Sequence, residues 1–338
     1  MTKAQASQAK VQARMKAQAQ GQTKARTKAR TKAHTKTQTE ALSPLYLDRL
    51  ETLKDKVYSY AAAHYRGFDW RDTQDPYAIW ISEVMLQQTQ AQRVVARFQE
   101  WMERFPTVDE LALASTADCL GAWQGMGYNR RALMLLRTAQ IVSKNGGVFP
   151  QTEAELTALP GIGPATAAGI CAFAYNQHTI YIETNVRSVF LHELMFDRER
   201  PQDRELMPYV SRACPPSAAA DSRELDTPRM WYYALLDYGN YLKKTLPNPS
   251  RRSGAYVKQS RFEGSRRQKR SCLVRILLAC DLSDEIMDVD ALTHELNLYE
   301  QAHGRPVCDQ TLVQELMEEL TREGFCAQVG LGWRIASS

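Results

Sequence analysis

The chain has 338 residues, 44% of them hydrophobic, a length that allows two or three domains. It contains no apolar run near the ~18 residues of a membrane span, and its seven cysteines are odd in number and never spaced Cys-x-x-Cys, which argues against a disulfide framework or a zinc site. Net charge is only +5, but residues 1–40 carry +9 and residues 243–270 another +9, leaving −13 for the rest. Two concentrated basic segments on an acidic body point to a polyanion partner.

In chain order, residues 1–42 come first, rich in Lys, Ala, Thr and Gln with the near-repeat "KARTKARTKAHTKT". Almost nothing there offsets the entropy of ordering, so they read as a disordered basic tail, either a weak tether to a polyanion or an organelle transit segment. The segment has no apolar stretch of the signal-peptide kind, so a cytoplasmic protein is expected. From residue 43 to 245 apolar residues recur at three- and four-residue spacing, through 45–63, 77–87, 131–142, 165–175, 186–196 and 230–242, which predicts an all-α body.

Within it, "IWISEVMLQQTQ" (79–90) puts Glu83 in a mostly apolar stripe with Ile79 and Leu86. A carboxyl there has its pKa raised by desolvation and suits a general acid; an exposed helix glutamate is the plainer alternative. "GMGYNRRA" (125–132) follows, in which Tyr128 taken alone reads as core packing. "LPGIGPATAAGI" (159–170) sets Gly161 and Gly163 in a tight turn before a small-residue helix, an anion cradle of main-chain N–H groups or an ordinary helix joint. In "HTIYIETNVRSVFLHEL" (178–194) Glu183 interrupts an apolar run at a helix start, where a carboxylate suits the dipole as a cap.

Residues 246–265, "LPNPSRRSGAYVKQSRFEGS", are a Pro-, Ser-, Gly-rich basic linker holding Arg251, Arg252 and Lys258. Residues 266–338 then read as three short helices (near 266–280, 288–301 and 308–322) and a hairpin of Phe325–Val329 with Trp333–Ala336, the order of a winged helix. The acid-rich third helix suits phosphates poorly, so a packing module is as good a reading as a DNA reader.

The four motifs, in this order over roughly residues 45–242, resemble the MutY family of adenine DNA glycosylases in the helix-hairpin-helix (endonuclease III-like) superfamily. The resemblance implies a two-lobed fold and a double-stranded DNA partner carrying a lesion or mismatch. It also implies hydrolysis of the N-glycosidic bond of adenine mispaired with 8-oxoguanine or guanine, in base-excision repair, with base flipping. Glu83 matches the residue that protonates the adenine, and Glu183 the carboxylate that stabilises the oxocarbenium-like sugar, where the family usually has aspartate. Gln87, Gln88, Thr89, Met126 and Tyr128 match the groups entering the duplex. Leu159, Gly161 and Gly163 match the phosphate-gripping hairpin, whose carbonyls also hold a monovalent cation in one reading, and Asn185 matches a residue near the scissile sugar.

The chain departs from that pattern in three places. Ala165 stands where lyase-active relatives carry a Schiff-base lysine, so a monofunctional enzyme is expected. The linker has no cysteine where the family carries a [4Fe–4S] cluster, so no cofactor is expected, and its Arg251, Arg252 and Lys258 are expected on DNA instead. Residues 266–338 are too short and helical for the family's 8-oxoguanine reader. The expected protein is a bacterial, nucleoid-associated monomer. Two alternatives stay open: a glycosylase of the same fold for an alkylated purine or mismatched thymine, and a non-catalytic DNA-structure-binding protein.

Overall fold

The computed structural model describes residues 44–222, 224–281 and 285–337; the basic tail read over 1–42 lies outside the described residues. Residues 44–245 are helical, as the three- and four-residue spacing predicts: α1 (Pro44–His64), α2 (Asp69–Asp72), α3 (Pro76–Leu86), α4 (Ala91–Arg104), α5 (Val108–Leu113), α6 (Thr116–Ala122), α7 (Arg130–Lys144), α8 (Glu153–Leu156), α9 (Pro164–Phe173), α10 (Thr184–Glu193), α11 (Asp203–Ala213) and α12 (Pro228–Thr245). Periodicity did not separate the short α5 and α6. Capping chemistry marks them: Thr107 with Glu110 and Ser115 with Asp118 each form a reciprocal capping box. Helix α3, which carries Glu83, starts where Asp75 accepts from the Tyr77 and Ala78 N–H groups with Pro76 in the first turn.

The core is built on large rings. Trp80, Trp101, Trp123 and Trp231 are fully buried, and Trp101 meets Trp123 edge-to-face at 5.5 Å. One buried ionic cluster ties the two ends of this region together. Asp237 of α12 accepts from both terminal nitrogens of Arg71 (2.9 Å each), and Arg66 joins them.

After α12 a short 3-10 turn (Pro249–Arg252) leads into α13 (Arg266–Asp281), β1 (Met287–Asp288), α14 (Val289–Ala302), α15 (Gln310–Glu323), β2 (Cys326–Val329) and β3 (Gly332–Ile335). The expected hairpin is present, one residue shorter at its outer end: the ladder runs from Cys326↔Ile335 to Val329↔Gly332, and Phe325 and Ala336 fall outside it. A third strand was not foreseen, because β1 is two residues long and shows no alternation. It pairs antiparallel with β3, giving the sheet order β1-β3-β2. Helix–strand–helix–helix–hairpin is the winged-helix order.

The acids of α15 have an internal use. Glu315 and Glu319 pair with Arg266, and Glu319 and Glu323 with Arg270, both on α13. Helix α15 therefore spends its charge on its neighbour. Among the described residues, no helix is long and apolar enough to cross a membrane.

Candidate active site

Glu83 lies on α3 with its carboxyl half-buried, and Tyr181 donates its hydroxyl to the Glu83 Oε2 at 3.1 Å. Burial pushes the Glu83 pKa up to about 8; the Tyr181 hydrogen bond opposes this, and the Glu183 charge adds to it. The space for this pair is made by Gly169 on α9: a Cβ there would stand 2.4 Å from Glu83 Oε2 and 3.1 Å from the Tyr181 ring. Tyr181 is in turn fixed through its backbone N–H, which donates to the Tyr232 hydroxyl at 3.1 Å. Sequence reading missed Tyr181. The signal was its place two residues before Glu183 in an extended segment, which sets both side chains on one side of the chain.

Glu183 is the N-cap of α10. Its Oε1 accepts from the Asn185 N–H at 2.5 Å and the Val186 N–H at 2.9 Å, and its Oε2 faces the Asn185 Nδ2 at 3.3 Å. The cap alternative is thus realised, and it is compatible with chemistry. Burial raises the Glu183 pKa, while the Val186 N–H, the Lys243 ammonium, the Asn185 N–H and Arg187 all pull it down. Two shielded carboxyls face different environments: Glu83 has one neutral hydroxyl donor, Glu183 has a helix N-terminus and cations. The net shift is upward for both, and the donors and cations around Glu183 oppose it there, so the charged form is favoured at Glu183 over Glu83.

The residues expected to enter the duplex lie on two loops at the end of α3 and before α7. Arg131 lashes these loops together. Its Nη1 donates to the Val84, Met85 and Gln87 carbonyls at 2.7, 3.2 and 2.7 Å. Its Nη2 donates to the Thr89 Oγ1 and to the Met126 and Gly127 carbonyls at 3.3, 3.1 and 3.0 Å. The guanidinium also lies over the Trp123 and Tyr128 rings. Gln88 and Tyr128 are exposed and both hold a left-handed backbone, φ 57° and 51°, a strained conformation for a residue with a side chain. Gln87 points inward, donating to the Thr166 hydroxyl at 3.0 Å. Met126, expected at the duplex, is buried, and of the two it is Tyr128 that stands outward.

A groove of about 770 Å³ opens beside these loops, bounded across from them by Phe262, Arg267 and Gln268. Neither Glu83 nor Glu183 lines it. It is therefore adjacent to the carboxyl pair and distinct from it. Gln259 donates to the Gln88 Oε1 at 3.0 Å, so the basic linker reaches this loop directly.

The hairpin joins α8 to α9. Gly161 has φ 74°, and a Cβ there would sit 2.5 Å from the Met134 Cβ, so both conformation and space require glycine. Gly161, Gly163 and Ala165 are exposed and Leu159 is half-buried, leaving the main chain before α9 open to an anion.

In the linker, Arg251 and Lys258 are exposed, as a phosphate contact requires. Arg252 also has a structural job that was not expected. It donates to the Leu191, Met195 and Arg198 carbonyls, satisfying groups left open at the end of α10. Together with the Gly254 N–H on the Pro201 carbonyl, it staples the linker to the body. The donor set here does not fit a four-thiolate cluster. No cysteine lies between Cys214 and Cys272, and all seven are free thiols, six of them buried at separate places.

Residues 81–216 match the family described as HhH-GPD superfamily base excision DNA repair protein. The adenine DNA glycosylase of Mycobacterium tuberculosis is 42% identical over 132 residues, 38% of this chain and 43% of that one. The adenine DNA glycosylase of Buchnera aphidicola is 38% identical over 123 residues, 36% of this chain and 35% of that one. The match thus spans less than half the length of each of these two relatives. A solved thermostable thymine-DNA glycosylase is 20% identical, covering 57% of this chain and 87% of its own, with a TM-score of 0.49.

Proposed function

We propose that this chain, which carries an HhH-GPD base-excision domain over residues 81–216, is a monofunctional DNA glycosylase that hydrolyses the N-glycosidic bond of adenine mispaired with 8-oxoguanine or guanine. The observation that carries the reading is the carboxyl pair: Glu83 shielded and hydroxyl-bonded by Tyr181, Glu183 capped on a helix N-terminus. Breaking the bond needs a proton on the departing base and negative charge beside the sugar. Glu83 delivers its proton to a ring nitrogen of the extruded adenine, and the glycosidic electron pair leaves with the base. Glu183 stabilises the oxocarbenium-like sugar, to which water adds, returning a proton to the site.

Extrusion leaves a gap in the duplex that the Gln88 and Tyr128 wedges fill, while the hairpin and the exposed Arg251 and Lys258 hold the backbone. The adenine DNA glycosylases among its relatives support the adenine assignment. Ala165 at the hairpin supports hydrolysis without strand cleavage, since a lyase step needs an amine nucleophile. The reading includes no iron–sulfur cluster, with the stapled linker in its place, and a monomer acting on nucleoid DNA in the cytoplasm.

The test is single-turnover cleavage of duplexes carrying adenine opposite 8-oxoguanine, guanine, cytosine or thymine, with and without alkali. We expect adenine release from the first two, with strand breaks only after alkali. Breaks without alkali would refute the monofunctional assignment. Binding with no release from any of the four duplexes would refute the adenine assignment.

A further inference from the structure

Lys243 stands at the last turn of α12, and nothing in the reaction described above uses it. Its Nζ donates to the Asn185 Oδ1 at 3.0 Å, and Asn185 turns its Nδ2 toward the Glu183 Oε2 at 3.3 Å. The approach is set by the fold. Four residues earlier on the same helical face, Gly239 lets α12 press on the start of α10: a Cβ at 239 would lie 2.4 Å from the Asn185 carbonyl oxygen. Gly239 thus brings the helix in, and Lys243 closes on the side chain one turn later.

We infer that Lys243 is a positioning residue for the sugar-side carboxylate: it fixes which way the Asn185 amide points and places a positive charge behind Glu183. An ammonium can only donate, so the asparagine must present its oxygen to Lys243 and its NH₂ to Glu183. Without the lysine the amide is free to flip and set an oxygen against the carboxylate. The charge matters too, because Glu183 is shielded from water and functions ionised. Its other electrostatic neighbours are the Asn185 and Val186 N–H groups and Arg187 on α10, Glu83 on α3, and the Tyr181 hydroxyl. Arg187 is already committed, bonding Asp203 through two nitrogens at 2.7 Å each. That leaves Lys243 as the cation whose side chain bonds to the asparagine beside Glu183.

The inference rests on the proposed role of Glu183, and the experiment separates the two. Single-turnover adenine release and duplex affinity are measured from pH 5 to 9 for the unaltered chain, Lys243→Met and Lys243→Arg. Removing a cation raises a carboxylate's pKa, so the acid limb of the Lys243→Met profile moves up by about one pH unit, making release up to about tenfold slower on that limb and unchanged on the plateau above it. Affinity stays within a few-fold, and Lys243→Arg restores most of the profile. An affinity loss with an unmoved profile would make Lys243 a phosphate contact and overturn the inference, as would an unmoved profile with equal affinity. If the unaltered chain releases no base, the reading of Glu183 fails instead. The inference is then decided by the ¹³C titration of the Glu183 carboxyl, assigned against Glu183→Gln: an upward shift in Lys243→Met supports it and no shift refutes it.

Discussion

Replacing Glu83 by Gln is expected to slow adenine release by about 10²–10⁴-fold, the usual worth of a positioned general acid, while duplex affinity is kept. The amide has nearly the shape of the carboxyl and still accepts from Tyr181, so the variant isolates the proton. The same change should affect stability in the opposite direction. Glu83 titrates near 8 when folded against 4.5 for the ordinary group. The folded state therefore binds this proton more tightly than the unfolded one, and the associated stability is lost as pH rises from about 4.5 through 8. Above pH 8 the native chain carries a shielded charge that the amide lacks, so Glu83→Gln should melt higher than the native protein at pH 9. Full activity of the variant at neutral pH would remove Glu83 from the chemistry.

The second large effect concerns Arg131. Its guanidinium satisfies carbonyls at the end of α3 and in the loop before α7, so one side chain sets both the exit of the Glu83 helix and the two loops of the proposed wedges. A methionine there leaves several half-buried carbonyls unpaired. We expect Arg131→Met to lower stability by about 3–5 kcal/mol and the melting temperature by roughly 10 °C. Release of adenine at saturating duplex should also fall, because the wedges lose their common anchor. Arg131→Lys should recover little of this, since an ammonium lacks the planar fork that spans two loops. A lysine variant that melts and cleaves like the native chain would show that charge alone suffices at this position.

Much of the site was legible in the sequence. Glu83 in an apolar stripe and Glu183 interrupting an apolar run at a helix start both carry a cost that a chain accepts for a reason, and both lie in the carboxyl pair. Gly161 and Gly163 announced the hairpin because tight turns restrict the residues that fit. Tyr181 and Arg131 were hidden by ordinariness: a tyrosine and an arginine acquire meaning from what the fold brings opposite them, and their partners lie 98 and between 3 and 47 residues away. The structural part of Arg252 was hidden for a related reason. A basic linker gives no sign that the end of α10 needs a donor. The strand Met287–Asp288 is too short to show a period, and only its pairing with β3 defines it.

The central claim is that two neighbouring carboxyls work in opposite protonation states, and the most direct measurement of it is the pH dependence of single-turnover adenine release. The account predicts a rate that holds through neutrality and falls as pH rises through about 8, where Glu83 gives up its proton. Glu83→Gln should show no such limb in its residual rate. A native rate that stays level to pH 10, or a falling limb that persists in Glu83→Gln, would contradict it.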